Sequence, residues 1–212
     1  MMPVTLTNAF TAGSANAISL SQTPAGAGNL LLNGAAASGG VATITTGAQG
    51  RQVLFTFAAD ETGHTFVLYG TNYAGKTISE TIAGTTAGTV TSANMYKTVT
   101  RISISAAATG AMTVGTNGVG RSSVVGPDIF QAPFAIGIGC ELTGTANYTI
   151  QHTFDDVMNT AFESLVWLSN SGLTSKSATA DGNYAFPVRG ISLLMNSGTG
   201  TVVTNIIQGT HY

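Results

Sequence analysis

A chain of 212 residues, 43% of them apolar, is long enough to bury a sizeable core as one large β-domain or two small ones. Only 8% of its residues are charged, against about 25% in ordinary globular proteins, and the formal net charge is -2. Apolar content this normal, without a charge excess, argues against disorder, and so weak and scattered a basic set leaves no electrostatic footprint for nucleic acid or an anionic membrane.

In chain order, residues 1–17 carry Pro3 and then small polar residues. They read as an extended N-terminal arm with one short strand. Pro3, Val4, Leu6 and Phe10 are its candidate interface residues for contact with another chain. Alternating runs follow at Ile18 to Ser21, Asn29 to Asn33, Val41 to Thr45 and Arg51 to Phe57, where Val53, Phe55 and Phe57 share one face. Asp60 to Gly63 is a tight connection. From Thr65 to Val114 the two-residue period is strict: Ile78, Glu80 and Ile82 oppose Thr77, Ser79 and Thr81, and Val99, Arg101 and Ser103 oppose Thr100, Ile102 and Ile104. Turn-length patches at Asn72 to Lys76, Ala83 to Gly88 and Thr109-Gly110 divide these runs. Thr116 to Ser123 has linker composition, which sets a domain boundary near residue 122.

The second half resumes at Phe134 to Cys140, where large residues alternate with small ones, and at Tyr148 to Phe154, with Tyr148, Ile150, His152 and Phe154 on one side. Val157, Ala161, Leu165 and Leu168 have helical spacing behind a capping Asp155 or Asp156, so one short helix near 157–168 is as compatible with the pattern as a strand. Val188 to Met195 and Thr199 to Ile207 read as a closing hairpin around Asn196-Ser197-Gly198. The expected fold is all-β: two tandem antiparallel β-sandwich (jelly-roll or Ig-like) modules at 18–121 and 122–212 behind the arm of residues 1–17.

No residue pattern carries catalysis, and no catalytic, cofactor-binding or metal-ligating residue is assigned. His64, His152 and His211 are far apart and form no metal-spaced pair. Asp155-Asp156 beside His152 is the densest acidic group, and Asp60-Glu61 reads as a hairpin tip; both suit turns and caps. No serine sits in G-x-S-x-G. Cys140, the only cysteine, lies in an apolar run and reads as an inert buried thiol. The N-terminus lacks a basic head and a continuous apolar stretch, so no secretory signal is expected, and no run is long enough to span a membrane. Trp167 and Tyr184, with Tyr148 and Phe186, could line a sugar-binding surface, although aromatics in a β-module are more often core or interface. A surface of Thr, Ser, Asn, Gly and Ala with so little charge suits packing against other protein, as an oligomer or on a larger particle.

Several stretches resemble β-rich structural proteins of tailed bacteriophages. They are S-x-T-P-A-G-A-G-N-L-x-L-N-G at Ser21 to Gly34, G-T-N-Y-A-G-K-T-I-S-E-T-I-A-G-T-T-A-G-T-V-T at Gly70 to Thr91, Y-T-I-Q-H-T-F-D-D-V at Tyr148 to Val157, and D-G-N-Y-A-F-P-V-R-G-I at Asp181 to Ile191. The closing G-T-G-T-V-V-T-N-I-I-Q-G belongs with them. The resemblance implies a non-enzymatic virion component assembled in the host cytoplasm, a capsid decoration or cement protein. It would contact the major capsid protein or other virion proteins, without cofactor, nucleic acid or membrane. The alternative is a tail or collar component that binds host-surface glycan or anchors a fibre.

Overall fold

The computed structural model describes residues 3–209. His211 and the first two residues of the expected arm lie outside them. The described chain is all-β. The N-terminal strand β1 (Val4–Ala9) is followed by β2 (Ser14–Gln22), β3 (Gly28–Asn29), β4 (Ala37–Ser38), β5 (Val41–Thr43), β6 (Gln49–Phe57), β7 (Thr65–Thr71), β8 (Thr77–Ala83), β9 (Gly88–Thr91), β10 (Thr98–Ile104) and β11 (Met112–Ser122). After these come β12 (Ile136–Thr143), β13 (Ala146–Thr153), β14 (Leu168–Ser169), β15 (Ala180–Tyr184), β16 (Gly190–Gly198) and β17 (Thr201–Gln208). Strand pairing is antiparallel in both halves of the chain, as between β7 and β8, β7 and β10, β12 and β17, and β13 and β16.

The chain divides into two compact units. One is Ala12–Asn117; the other joins the N-terminal stretch up to Thr11 to the chain from Gly118 onward. The division falls at 117/118, within a few residues of the expected boundary, and most of the stretch expected to be a linker is the C-terminal part of β11. Just before it, Gly115 serves close packing: a Cβ there would overlap the backbone of Ser14 to Asn16, the strand alongside.

In Ala12–Asn117 one sheet has the order β4-β5-β10-β7-β8, with β3 also on β10, and the second layer contains β9, β6, β11 and β2. Phe55 and Phe57 from β6 meet Phe66 from β7 at centroid distances of 5.6 and 5.1 Å, so both layers close over one core with Leu68, Ile102 and Val114. β10 departs from strict alternation. A bulge between Val99 and Arg101 sets two residues against one, so that Val99, Ile102 and Ile104 are all buried. Arg101 is turned outward, its guanidinium 3.9 Å from the centre of the Tyr69 ring. The same unit hides a carboxylate. Glu61 is only 1% exposed; its Oε1 accepts the N–H groups of Thr109 and Gly110, both at 2.9 Å, and its Oε2 lies 2.5 Å from His64 Nδ1.

In the other unit one sheet has the order β1-β17-β12-β15, and the second layer contains β14, β13, β16 and the end of β11, where Gly120 and Arg121 pair with Met195 and Leu194. Ile136, Ile138 and Cys140 from β12 face Ile191, Leu193 and Met195 from β16 across the core. Cys140 is buried, its thiol pKa raised by desolvation, with Thr204 Oγ1 at 3.7 Å.

Two expectations fail here for a common reason. The residues read as a closing hairpin form no hairpin: β16 pairs with β13 and β11, while β17 pairs with β12 and β1, in the other layer. The chain crosses between layers at Gly198 (φ 102°), where Thr145 O accepts the N–H groups of Thr199 and Gly200, both at 2.9 Å. The crossing sets Leu193 and Met195 over Val202 and Ile206 instead of beside them, and so covers both apolar faces. The supposed arm is likewise claimed by this core. β1 lies along β17 from Val4↔Ile206 to Ala9↔Thr201 as an ordinary edge strand. The helix near 157–168 reduces to a single 3-10 turn at Phe162–Ser164, because Asp155 Oδ2 takes the N–H of Val166 at 2.6 Å and closes the segment into a loop.

Candidate functional site

The N-terminal candidates face inward. Val4 and Leu6 are half-buried against the core of their own unit, Phe10 is part of that core, and Pro3 alone is exposed. Their apolar faces are satisfied within the chain; what β1 leaves for a neighbour is its outer edge, since β1 ends its sheet among the described residues.

Trp167 and Tyr184 are not brought together around one cleft. Trp167 is half-buried over the Arg121 guanidinium, 4.4 Å from ring centre to Cζ, and meets Phe162 edge-on at 5.9 Å. Arg121 also donates to Gln151 Oε1 at 2.6 Å, and burial lowers its pKa to about 10, so it remains a cation under the indole.

Tyr184 instead lines a cavity of about 580 Å³ with His152, Phe186, Asp181, Asn183 and the loop Ser169 to Gly172. Three of its lining residues carry rings, and a fourth ring, Phe154, packs on His152. His152 lies edge-on to Tyr184, Phe186 and Phe154, at centroid distances of 4.9, 5.8 and 5.3 Å. Such edge-to-face packing sets the positive rim of one ring against the negative face of the next. His152 Nδ1 and the Tyr184 hydroxyl share a hydrogen bond of 3.1 Å at the buried end of the group. Burial pulls the His152 pKa down and pushes Tyr184 up to about 12, so both rings are uncharged at neutral pH. The far wall is fixed by Asn170. Its Oδ1 accepts from the Gly172 and Leu173 N–H groups at 2.9 and 3.1 Å, and its Nδ2 donates to Asn183 O at 3.1 Å.

Alternation along Tyr148 to Phe154 signals His152 and Phe154, and Y-A-F at 184–186 signals Phe186. Nothing local signals that the 169–172 loop closes over them, because Asn170 reaches β15 by a hydrogen bond between distant segments.

A folded His152 with lowered pKa binds its proton less tightly than the unfolded chain does. Its contribution to stability is complete above the ordinary value of 6.5 and is lost as pH falls toward the lower folded-state value. The urea midpoint of the native chain should therefore drop over that interval relative to His152→Gln. Parallel midpoints for the two proteins would contradict the linkage.

A second, shallower groove of about 300 Å³ is lined by Pro127, Ile129, Val157, Met158, Asp156 and Arg189. Phe130, next in the chain to Ile129, is 91% exposed, and Met158 is 85% exposed. Asp156 accepts from Asn159 Nδ2 at 2.7 Å and from the Met158 N–H at 3.0 Å, which hold its pKa down and fix the loop carrying Met158. Arg189 Nη1 stands 3.8 Å from the same carboxylate.

Among the described residues no group of three or more His, Cys, Asp or Glu is placed to hold a metal ion, and no helix is long and apolar enough to cross a membrane. No protein-family model and no curated protein sequence matches the chain.

Proposed function

We propose that the chain is a non-enzymatic structural protein of a bacteriophage virion, a capsid decoration or cement protein that works as an oligomer through protein–protein contacts. The observation that carries this reading is the apolar ground around Phe130 and Met158. Met158, which lines the groove with Pro127, Ile129 and Val157, and Phe130, the residue after Ile129, stand almost fully in water on a chain with 8% charged residues. Isolated exposed apolar residues are ordinary, but a grouped set rimmed by polar residues marks a contact surface. The motif resemblance to phage structural proteins supplies the setting, and the outer edge of β1, six residues without charge or proline, offers a second contact by strand addition.

The mechanism is mechanical. Each copy buries apolar surface against neighbouring capsid subunits, and that burial opposes expansion of a filled shell. Phe130→Ser combined with Met158→Ser should weaken binding to stripped particles roughly 100-fold, at about 1.5 kcal/mol for each side chain left in water. Particles carrying the double variant should also release their genome at lower temperature. Undiminished binding together with unchanged release would refute the cementing role. Copy number per particle separates a head position from a tail or collar one.

A further inference from the structure

We propose that the cavity between β15 and the 169–172 loop binds a neutral saccharide, with one sugar ring stacked on Phe186 and its hydroxyls held by Asp181, Asn183 and Ser171. The site lies apart from the Phe130–Met158 groove, with no lining residue in common. It goes beyond the structural role and does not depend on it.

The size suits the ligand: about 580 Å³ falls within the range of small-molecule sites and exceeds what one hexose fills. The lining then selects the chemistry. Phe186 is 47% exposed, yet it is fixed edge-on against His152 and Tyr184. A ring held in place with one face in water is a platform for the axial C–H face of a pyranose, and its rigidity lowers the entropy cost of binding. Asp181 and Asn183, both exposed, alternate on one side of β15, roughly 7 Å apart by strand geometry. That spacing serves hydroxyls at opposite ends of a sugar ring. A carboxylate accepts from two neighbouring hydroxyls, and an amide both donates and accepts.

Other occupants fit less well. No lysine or arginine lines the cavity, so a phosphate or sulfate group finds no counter-charge. A peptide would dock by pairing with the free edge of β15, but Asn170 Nδ2 already occupies Asn183 O there and its loop lies alongside. Asp181 is the one carboxylate among the lining residues, whereas glycoside hydrolysis ordinarily takes two facing each other. The site binds sugar and leaves it intact.

The test uses the full chain on a surface bearing densely immobilised neutral oligosaccharides of glucose, galactose, mannose and N-acetylglucosamine, with sialylated and sulfated glycans in parallel. At least one neutral series should be retained. Phe186→Ala and Asp181→Asn, both exposed positions whose folding is checked by circular dichroism, should each weaken retention at least tenfold, and Phe130→Ala should leave it unchanged. Retention of none of the neutral glycans, retention of anionic glycans alone, or neutral binding that survives both cavity substitutions would each overturn the proposal. The particle assay reads Phe130 and Met158, so either reading can fail without the other.

Discussion

Glu61→Ala should destabilise the Ala12–Asn117 unit by about 3–5 kcal/mol, the loss expected when one member of a buried, charge-assisted network is removed. The side chain is 1% exposed and serves three donors. It holds the Thr109 and Gly110 N–H groups through one oxygen and His64 Nδ1 through the other. Truncation leaves two backbone N–H groups facing a space without an acceptor, at a position where the connection before β7 meets the turn between β10 and β11. Glu61→Gln keeps the shape and one acceptor oxygen, so about half of that loss is expected, since hydrogen bonds to a charged group contribute roughly twice what neutral ones do. Urea denaturation of the native chain and the two variants measures both. Equal stability of the alanine variant and the native chain would mean that Glu61 is dispensable to the turn.

Gly70→Ala should cost about 3 kcal/mol or more, at the upper end of what overpacking does, because the obstacle is backbone. A Cβ at this position would overlap Thr98 O and come within 2.9 Å of Tyr96 Cδ1. Tyr96 is fully buried, and Gly70 pairs with Val99 beside the bulge, so neither neighbour has room to withdraw. The strands must part where their register already shifts. Gly63→Ala is the control: nothing lies within 4 Å of its Cβ position and its φ is ordinary, so a change within about 0.5 kcal/mol is expected. Thermal melts of the two variants should differ accordingly, and similar melting temperatures would show that the bulge adjusts to the extra carbon.

The strands themselves are legible in the sequence because their cause is local. Val53, Phe55 and Phe57 are buried and alternate with the half-buried Gln52, Leu54 and Thr56, and Ile136, Ile138 and Cys140 are buried between glycines. What depends on distant partners is not legible. Strict period-two reading groups Val99 with Arg101, and the bulge that separates them arises from pairing with β7. Thr116 to Ser123 has the composition of a linker, yet all but its last residue is strand, and Gly115 just ahead of it lets β2 approach β11. The candidate site divides the same way. His152 is marked by alternation along β13, and Tyr184 and Phe186 by the Y-A-F spacing at the end of β15. Aromatic chemistry alone groups Trp167 with them, and it is drawn away by a buried cation on β11.

β1 joins a sheet whose other strands all come from the far half of the chain. During synthesis it leaves the ribosome on the order of 200 residues ahead of β17, an interval of about 10–40 s at translation rates of roughly 5–20 residues per second. Throughout that time Val4, Leu6 and Phe10 have no lattice of their own to enter, while Ala12–Asn117 can already fold behind them. The nascent segment is open to capture by a chaperone, or by the finished sheet of an older copy. Native closure therefore waits on the emergence of β17.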